Sequence, residues 1–140
     1  MNQSRYQRAI LLLGCCAIIF ASAARAELTS VPQQGMASWY GEAHRGRLMA
    51  NGQPFDPDKL TAASWFYPLG TKVRVIVNSP GYGNTAPRSV LVTITDRGPA
   101  RRLVRQGRKI DLAEAAFKQL ASPQLGLVEV TIVPEREGQL

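Results

Sequence analysis

Three stretches of the chain alternate between apolar and polar residues. They read KVRVIVN (72–78), SVLVTIT (89–95) and LVEVTIV (127–133). A period of two places their β-branched residues on one buried face, which predicts a strand for each stretch. GMASWYG (35–41) is a shorter strand candidate. The residues expected to face the core are Val73, Val75, Val77, Val90, Val92, Ile94, Val128, Val130 and Ile132.

One segment, DLAEAAFKQLASP (111–123), has the pattern of a helix. Asp111 is placed to cap its first turn, and Glu114 follows three residues later as in a capping box. Ser122-Pro123 ends it. The apolar face would consist of Leu112, Ala115, Ala116 and Leu120.

Turn residues fill the long segments between these elements. The stretch 42–60 is rich in Gly, Pro, Asn and Asp, with Asn51-Gly52 as its strongest turn signal. Residues 27–34 are polar and are interpreted as a short exposed linker. Several short strands and one helix in about 100 residues predict a small closed barrel, because closure removes exposed strand edges.

The first 26 residues resemble a secretory signal peptide. Arg5 and Arg8 precede an apolar run of 16 residues, and Ala24-Arg25-Ala26 fits signal-peptidase cleavage. That run is short for a membrane span, which needs about 20 residues. Leu12-Leu13-Gly14-Cys15 also resembles a lipobox, so acylation at Cys15 is a second route. We therefore expect export to the periplasm or cell envelope, with membrane contact only if Cys15 is lipidated, as in an outer-membrane lipoprotein.

Charge and residue inventory exclude several function classes. The full chain carries +7, and loss of the leader removes three arginines and no acid, leaving +4, which does not suggest nucleic-acid binding. Cys15 and Cys16 both lie in the leader, and His44 is the only histidine. No metal site, no cofactor and no Cys-His or Ser-His-Asp catalysis is therefore predicted. His44, in EAHRGR, is interpreted as a solvated surface residue.

Carboxylates remain for acid–base chemistry. Asp111 is assigned to the helix cap, and Asp56 and Asp58 to a turn around Pro57. Asp96 differs because it ends a buried strand where the chain enters a loop, the usual place for functional groups. A plain turn role for Asp96 stays open on composition alone.

Aromatic and basic residues are also clustered. Trp39-Tyr40 are neighbours on a strand, and neighbours point to opposite faces, so not every ring of this pair and of 65–67 can be in the core. An exposed ring would suit the apolar face of a sugar. The basic stretch 97–109 is either a solvated loop or a wall that attracts carboxylates of a polymeric substrate.

These residues resemble a known family. ASWYG, GR, ANG, FD, LTAA, PLGT, DRGP and IDL occur in the order and spacing of the rare lipoprotein A family, endolytic peptidoglycan lytic transglycosylases of the bacterial envelope. The resemblance covers residues 35–134 and implies a six-stranded double-psi β-barrel related to barwin and expansin domains, with one or two short helices. It implies glycan strands stripped of stem peptides as substrate. Residues 135–140 are expected to be a tail, with no glycan-binding SPOR domain.

The resemblance also implies the site. It makes Asp96 the general acid/base, with six residues in supporting or binding roles: Gln53, Ser64, Trp39, Tyr40, Asn51 and Arg97. Where the family has glutamate and histidine, this chain has two residues that do not titrate, Gln53 and Ser64. A lytic transglycosylase can work with one carboxyl, because muramic acid supplies its own 6-hydroxyl as the nucleophile.

Two other functions fit the sequence. A non-catalytic module that binds glycan and loosens the wall is favoured by Gln53 and Ser64. A structural envelope protein would instead use the basic stretch to contact a protein partner.

Overall fold

A computed structural model describes residues 31–78 and 87–135. The predicted signal peptide with Cys15, residues 27–30 of the linker and 136–140 of the tail lie outside the described residues. The six strands are β1 (Gln33–Tyr40), β2 (Thr61–Ala63), β3 (Lys72–Val77), β4 (Ser89–Asp96), β5 (Arg108–Ala113) and β6 (Val128–Pro134). Two short helices, α1 (Arg101–Arg105) and α2 (Glu114–Leu120), accompany them.

The strands close into a barrel in the order β1-β5-β2-β4-β3-β6. The pairs β1–β5 and β2–β4 are parallel, whereas β2–β5, β3–β4, β3–β6 and β1–β6 are antiparallel. This mixed, closed topology is a six-stranded double-psi β-barrel with two short helices. The predicted fold class is confirmed.

The three alternating stretches form β3, β4 and β6 as predicted. Their inward residues meet in the barrel interior, where the side chains listed next are at most 2% exposed: Val73, Val75, Val90, Val92, Ile94, Val130 and Ile132. Helix α2 adds Ala116, Phe117 and Leu120, each fully buried, to the same core. Apolar burial of this kind supplies most of the folding free energy.

The helix prediction was wrong at its N-terminus. Asp111 and Leu112 belong to β5, which pairs with β1 and β2, and α2 begins at Glu114 without a side-chain cap. The sequence does contain a capping-box pattern, but β5 pairs with β1 on one side and β2 on the other, and these strand pairings hold Asp111 and Leu112 extended. Asp111 is therefore free for another role. The basic stretch is likewise not a plain loop, since it forms α1 and the start of β5.

A register shift lies where β4 meets β2. Thr61 and Ala62 pair with Thr93 and Ile94, but Ala63 pairs with Asp96, so β4 contributes one extra residue there. Such a bulge reverses which side of the sheet the following residue faces. Ile94 points into the core, and Asp96 shares the opposite face with Ala63.

We predict that Phe117→Ala lowers the free energy of unfolding by about 3–5 kcal/mol, because it removes a fully buried ring. Urea denaturation measures the change. Leu125→Ala is the control, since Leu125 is 66% exposed, and it should change stability by no more than about 0.5 kcal/mol. Equal effects of both substitutions would contradict the assigned core.

Candidate functional site

The site begins with a row of paired residues across four neighbouring strands. Ser38 of β1 pairs with Asp111 of β5, Asp111 pairs with Ala63 of β2, and Ala63 pairs with Asp96 of β4. Directly paired residues share a face of a sheet. Adjacent strands are about 4.8 Å apart, so the two aspartate backbones lie about 10 Å apart with the small Ala63 between them. Both carboxyl groups line one cavity.

The carboxyl group of Asp111 is desolvated by burial. Burial raises the pKa of Asp111, and this outweighs the opposing influences of the Ser38 hydrogen bond and the Arg108 charge. The Ser38 hydroxyl donates to Oδ1 of Asp111. Desolvation disfavours the charged form of a carboxyl group, so this position favours a proton-bearing acid.

Asp96 is held by backbone donors. Its Oδ1 accepts hydrogen bonds from the N–H groups of Ala50 (2.9 Å) and Arg97 (2.8 Å). The N–H of Asn51 donates to the Thr95 carbonyl at 3.1 Å. These bonds fix the Asp96 carboxylate and attach the 49–54 turn to the end of β4. Oδ2 of Asp96 receives no donor from the part of the chain that the structure describes.

The cavity has a volume of about 270 Å³ and is open to solvent. Its lining consists of Tyr40, His44, Arg47, Leu48, Phe55, Ala63, Asp96, Arg97 and Asp111. A second small apolar cluster, Met49, Phe55 and Ala113 with Tyr40 against it, lies next to the cavity. The site therefore combines charged groups with an aromatic wall, as ligand pockets commonly do.

Two polar atoms of the cavity residues are buried without a hydrogen-bond partner among the described residues. They are the Tyr40 hydroxyl and Nδ1 of His44. The Tyr40 ring stacks on Phe55 at 4.2 Å and meets the His44 ring edge-on at 5.8 Å between ring centroids. Burial, followed by the charges of Asp96 and Asp111, raises the pKa of Tyr40, so the phenol stays protonated and can donate. Buried polar groups are normally paired, so both atoms are suited to a polar ligand.

Gly98 of the Asp-Arg-Gly-Pro motif packs closely beneath the site. A Cβ at this position would lie 3.2 Å from the Ala63 Cβ and 3.5 Å from Oδ2 of Asp111. The first distance is tighter than an ordinary van der Waals contact. The absence of a side chain therefore lets the segment after Asp96 pass beside Asp111.

A network of exposed ion pairs supports the loop that carries His44. Arg45 bonds to Glu42 (2.7 Å), Asp56 (3.0 Å) and Asp58 (2.8 Å). Surface ion pairs are individually weak, but one guanidinium shared by three carboxylates fixes the loop geometry more than a single pair does. Asp56 and Asp58 thus have a structural use, consistent with the turn predicted for them.

Three of the seven predicted site residues line the cavity: Tyr40, Asp96 and Arg97. The Arg97 side chain is engaged by the protein, because its Nη1 donates to the carbonyls of Ser64 (2.8 Å) and Tyr67 (2.7 Å). Arg97 therefore holds the segment after β2 against the end of β4.

The other four do not line it. Trp39 is the neighbour of Tyr40 and points to the opposite face, where it packs on Phe117 and donates to the Pro123 carbonyl at 3.1 Å. Ser64 is fully buried and donates to the Lys109 carbonyl at 3.2 Å. Asn51 and Gln53 are exposed on the turn beside Asp96, where the Asn51 side chain accepts the Gln53 N–H.

Sequence reasoning missed Asp111 and His44. Asp111 was assigned to a helix cap and His44 to a solvated surface, yet both line the cavity. The IDL motif was the available signal for Asp111, because it places a polar residue between two apolar ones. Both apolar neighbours, Ile110 and Leu112, are fully buried in the structure. Nothing local distinguishes His44, since its contact with Tyr40 depends on how the 42–47 loop folds back on β1.

Neither a metal site nor a membrane-spanning helix occurs in the described residues. Across 31–78 and 87–135 no cluster of three or more His, Cys, Asp or Glu side chains could hold a metal ion. In the same ranges no helix is long and apolar enough to cross a membrane.

Solved structures share the fold. The Streptomyces papain inhibitor superimposes with a TM-score of 0.57 at 24% identity, covering 77% of this chain and 97% of that protein. An expansin from Clavibacter michiganensis gives a TM-score of 0.56 at 21% identity, covering 79% of this chain and 53% of the expansin. At these identities the likeness concerns the barrel alone.

Sequence comparisons are more specific. The family model described as lytic transglycolase matches residues 32–132. An uncharacterized Synechocystis protein, ssl3177, is 40% identical over 69% of this chain and 91% of its own length. The endolytic peptidoglycan transglycosylase RlpA of Yersinia pestis is 43% identical over 63% of this chain, and the probable RlpA of Nostoc is 42% identical over 71%.

These two transglycosylases are much longer than the matched region, which spans 22% and 24% of their lengths. The match of the family model to most of the barrel, together with the ssl3177 relative, is sufficient for assignment. The chain belongs to the lytic transglycolase family that includes the rare lipoprotein A proteins.

Proposed function

We propose that this protein is a peptidoglycan lytic transglycosylase that cleaves glycan strands at the Asp96–Asp111 cavity. The observation that carries the proposal is the pair of carboxyl groups facing one cavity from different surroundings. Asp111 is desolvated, whereas Asp96 is fixed by two backbone N–H groups. Two carboxyls in unlike environments are the usual basis for dividing acid and base roles.

The roles follow from these surroundings. Protonated Asp111 gives its proton to the glycosidic oxygen as the bond from that oxygen to C1 of muramic acid breaks. The Asp96 carboxylate accepts the proton of the C6 hydroxyl as O6 bonds to C1, which closes a 1,6-anhydro ring without consuming water. Exchange with solvent then returns one proton to Asp111 and removes one from Asp96. This assignment divides between two residues the work first expected of Asp96 alone.

Other residues would bind or position the sugar. The unpaired Tyr40 hydroxyl and His44 Nδ1 are placed to hydrogen-bond sugar hydroxyl or acetamido groups. Asn51 and Gln53, on the turn attached to Asp96, are proposed to contact the strand at the cavity edge. Arg97 and Ser64 are positioning residues, and Trp39 supports the core.

A non-catalytic glycan-binding module is the second candidate. It is favoured by Gln53 and Ser64, which take the places of the family's glutamate and histidine. Ser64 is fully buried and bonded to backbone, so it offers no group to the cavity. The two functions differ in whether anhydro ends are formed.

We predict that wild-type protein releases anhydro-muramic ends from glycan strands stripped of stem peptides. Asp96→Asn and Asp111→Asn should each lower kcat by about 10²–10⁴, since each removes one proton-transfer group. Mass spectrometry of the products measures this, and co-sedimentation measures binding. Glu129→Gln is the control, because Glu129 is exposed on β6 and does not line the cavity. Strand binding by wild type without anhydro ends would refute the enzyme and leave the binding module.

We also predict that Asp111→Asn raises the free energy of unfolding at pH 7. Burial raises the folded-state pKa of Asp111 above its ordinary value of 3.8. The folded state therefore keeps a proton that the unfolded chain has released, and the resulting loss of stability grows as pH rises from 3.8 through the folded-state pKa. Below 3.8 both states are protonated and the penalty vanishes. Urea denaturation at pH 7 and pH 3 should show a gain that disappears at pH 3. A loss of stability at pH 7, or a gain that persists at pH 3, would refute the desolvated acid.

We infer from the leader that the protein acts in the periplasm or cell envelope. Cleavage after Ala26 should yield a chain beginning at Glu27 in the soluble periplasmic fraction. Acylation at Cys15 should instead yield a membrane-associated chain, and Cys15→Ser would then abolish membrane association. Mass determination of the mature N-terminus separates the two routes, and recovery of the unprocessed chain in the cytoplasm would refute export.

A further inference from the structure

The stretch 101–109 contains five basic residues and no acid. Arg101, Arg102 and Arg105 are exposed on α1, and Arg108 and Lys109 are partly exposed at the start of β5. The ion pairs found in 31–78 and 87–135 involve other cations, so none of these five forms an ion pair with a carboxylate there. We call these five residues the basic surface.

The basic surface adjoins the cavity. The Arg101 guanidinium lies 4.1 Å above the ring centroid of Trp65, which is 39% exposed. Trp65 in turn donates from Nε1 to the Pro99 carbonyl at 2.7 Å, two residues beyond the cavity residue Arg97. On the other side, the charge of Arg108 acts on Asp111. A strand occupying the cavity would therefore extend past these cations.

We propose that the basic surface binds the lactyl carboxylates of muramic acid residues that have lost their stem peptides. This inference rests on the proposed function. In intact peptidoglycan the lactyl carboxyl forms an amide bond to the peptide and carries no charge. Removal of the peptide frees a carboxylate on every second sugar, so the stripped strand is a regular polyanion. Arginine suits such groups because its fork pairs with a carboxylate bidentately.

A stripped glycan fits this surface better than an anionic membrane does. Helices that bind membranes expose an apolar face to insert among the lipids. Leu103 and Val104 of α1 are partly buried, while the arginines around them are exposed. Helix α1 therefore offers charge without an exposed apolar face of its own, which suits a hydrophilic polyanion.

The test uses the full-length protein and two substrates. One is stripped glycan strands, and the other is the same strands with their carboxyls converted to neutral methylamides by carbodiimide and methylamine. R102Q/R105Q removes two exposed charges whose side chains form no hydrogen bond or ion pair with the described residues, and K72Q/R88Q removes two exposed charges elsewhere. KM and kcat for anhydro ends are measured together with co-sedimentation.

Wild type should prefer free over amidated strands, and R102Q/R105Q should raise KM for free strands about three- to tenfold with kcat unchanged. R102K/R105K should restore the preference only in part, because lysine keeps the charge but lacks the bidentate fork, and K72Q/R88Q should keep the preference in full. Equal use of both substrates by wild type would overturn the proposal, as would an equal loss in K72Q/R88Q. So would binding to phosphatidylglycerol vesicles in place of strands.

The two proposals fail differently. Suppose that neither wild type nor any variant forms anhydro ends, but wild type sediments more with free strands than with amidated ones. The proposed enzymatic activity is then refuted, and carboxylate binding by the basic surface is supported. If anhydro ends form equally from both substrates, the enzyme is supported and the basic surface is refuted.

Discussion

The single extra residue of β4 opposite β2 determines whether this barrel has a site at all. Without it, Asp96 would continue the alternation of Val92 and Ile94 and point into a fully apolar core. An unpaired carboxylate there would cost several kcal/mol. The shift instead places Asp96 on the outer face, in line with Ala63 and Asp111. Because of this local irregularity of pairing, the carboxyl group lines the cavity and is not buried in the core.

On β1 and β5, residues that face the core alternate with residues that face the cavity. On β1, Trp39 packs on the core while Tyr40 faces the cavity, and on β5, Ile110 and Leu112 are buried while Asp111 faces outward. Core packing holds the strands in register, and the register in turn fixes the spacing of the side chains that line the cavity. Small Ala63 between the aspartates keeps the space between them open, and Gly98 lets the following segment pass close by.

The strands with a clear apolar–polar alternation could be predicted from the sequence, whereas the strands that form through pairing with their neighbours could not. β3, β4 and β6 alternate over six or more residues, so their inward faces could be read directly. β2 has only three residues and β5 reads RKIDLA, and neither alternates enough to be recognised. β5 runs into α2 without a loop, which made Asp111 look like a cap. The family resemblance added the double-psi topology and the acid/base role of Asp96, but it could not show that Trp39 and Ser64 face away from the cavity.

The Tyr40 hydroxyl and His44 Nδ1 belong to cavity residues and are buried without a hydrogen-bond partner among the described residues. Leaving a buried polar group without a hydrogen bond costs about 1–3 kcal/mol. A bound sugar that hydrogen-bonds to both atoms would satisfy them as well as occupy the cavity. Ligand affinity and resistance to unfolding would then draw on the same two atoms.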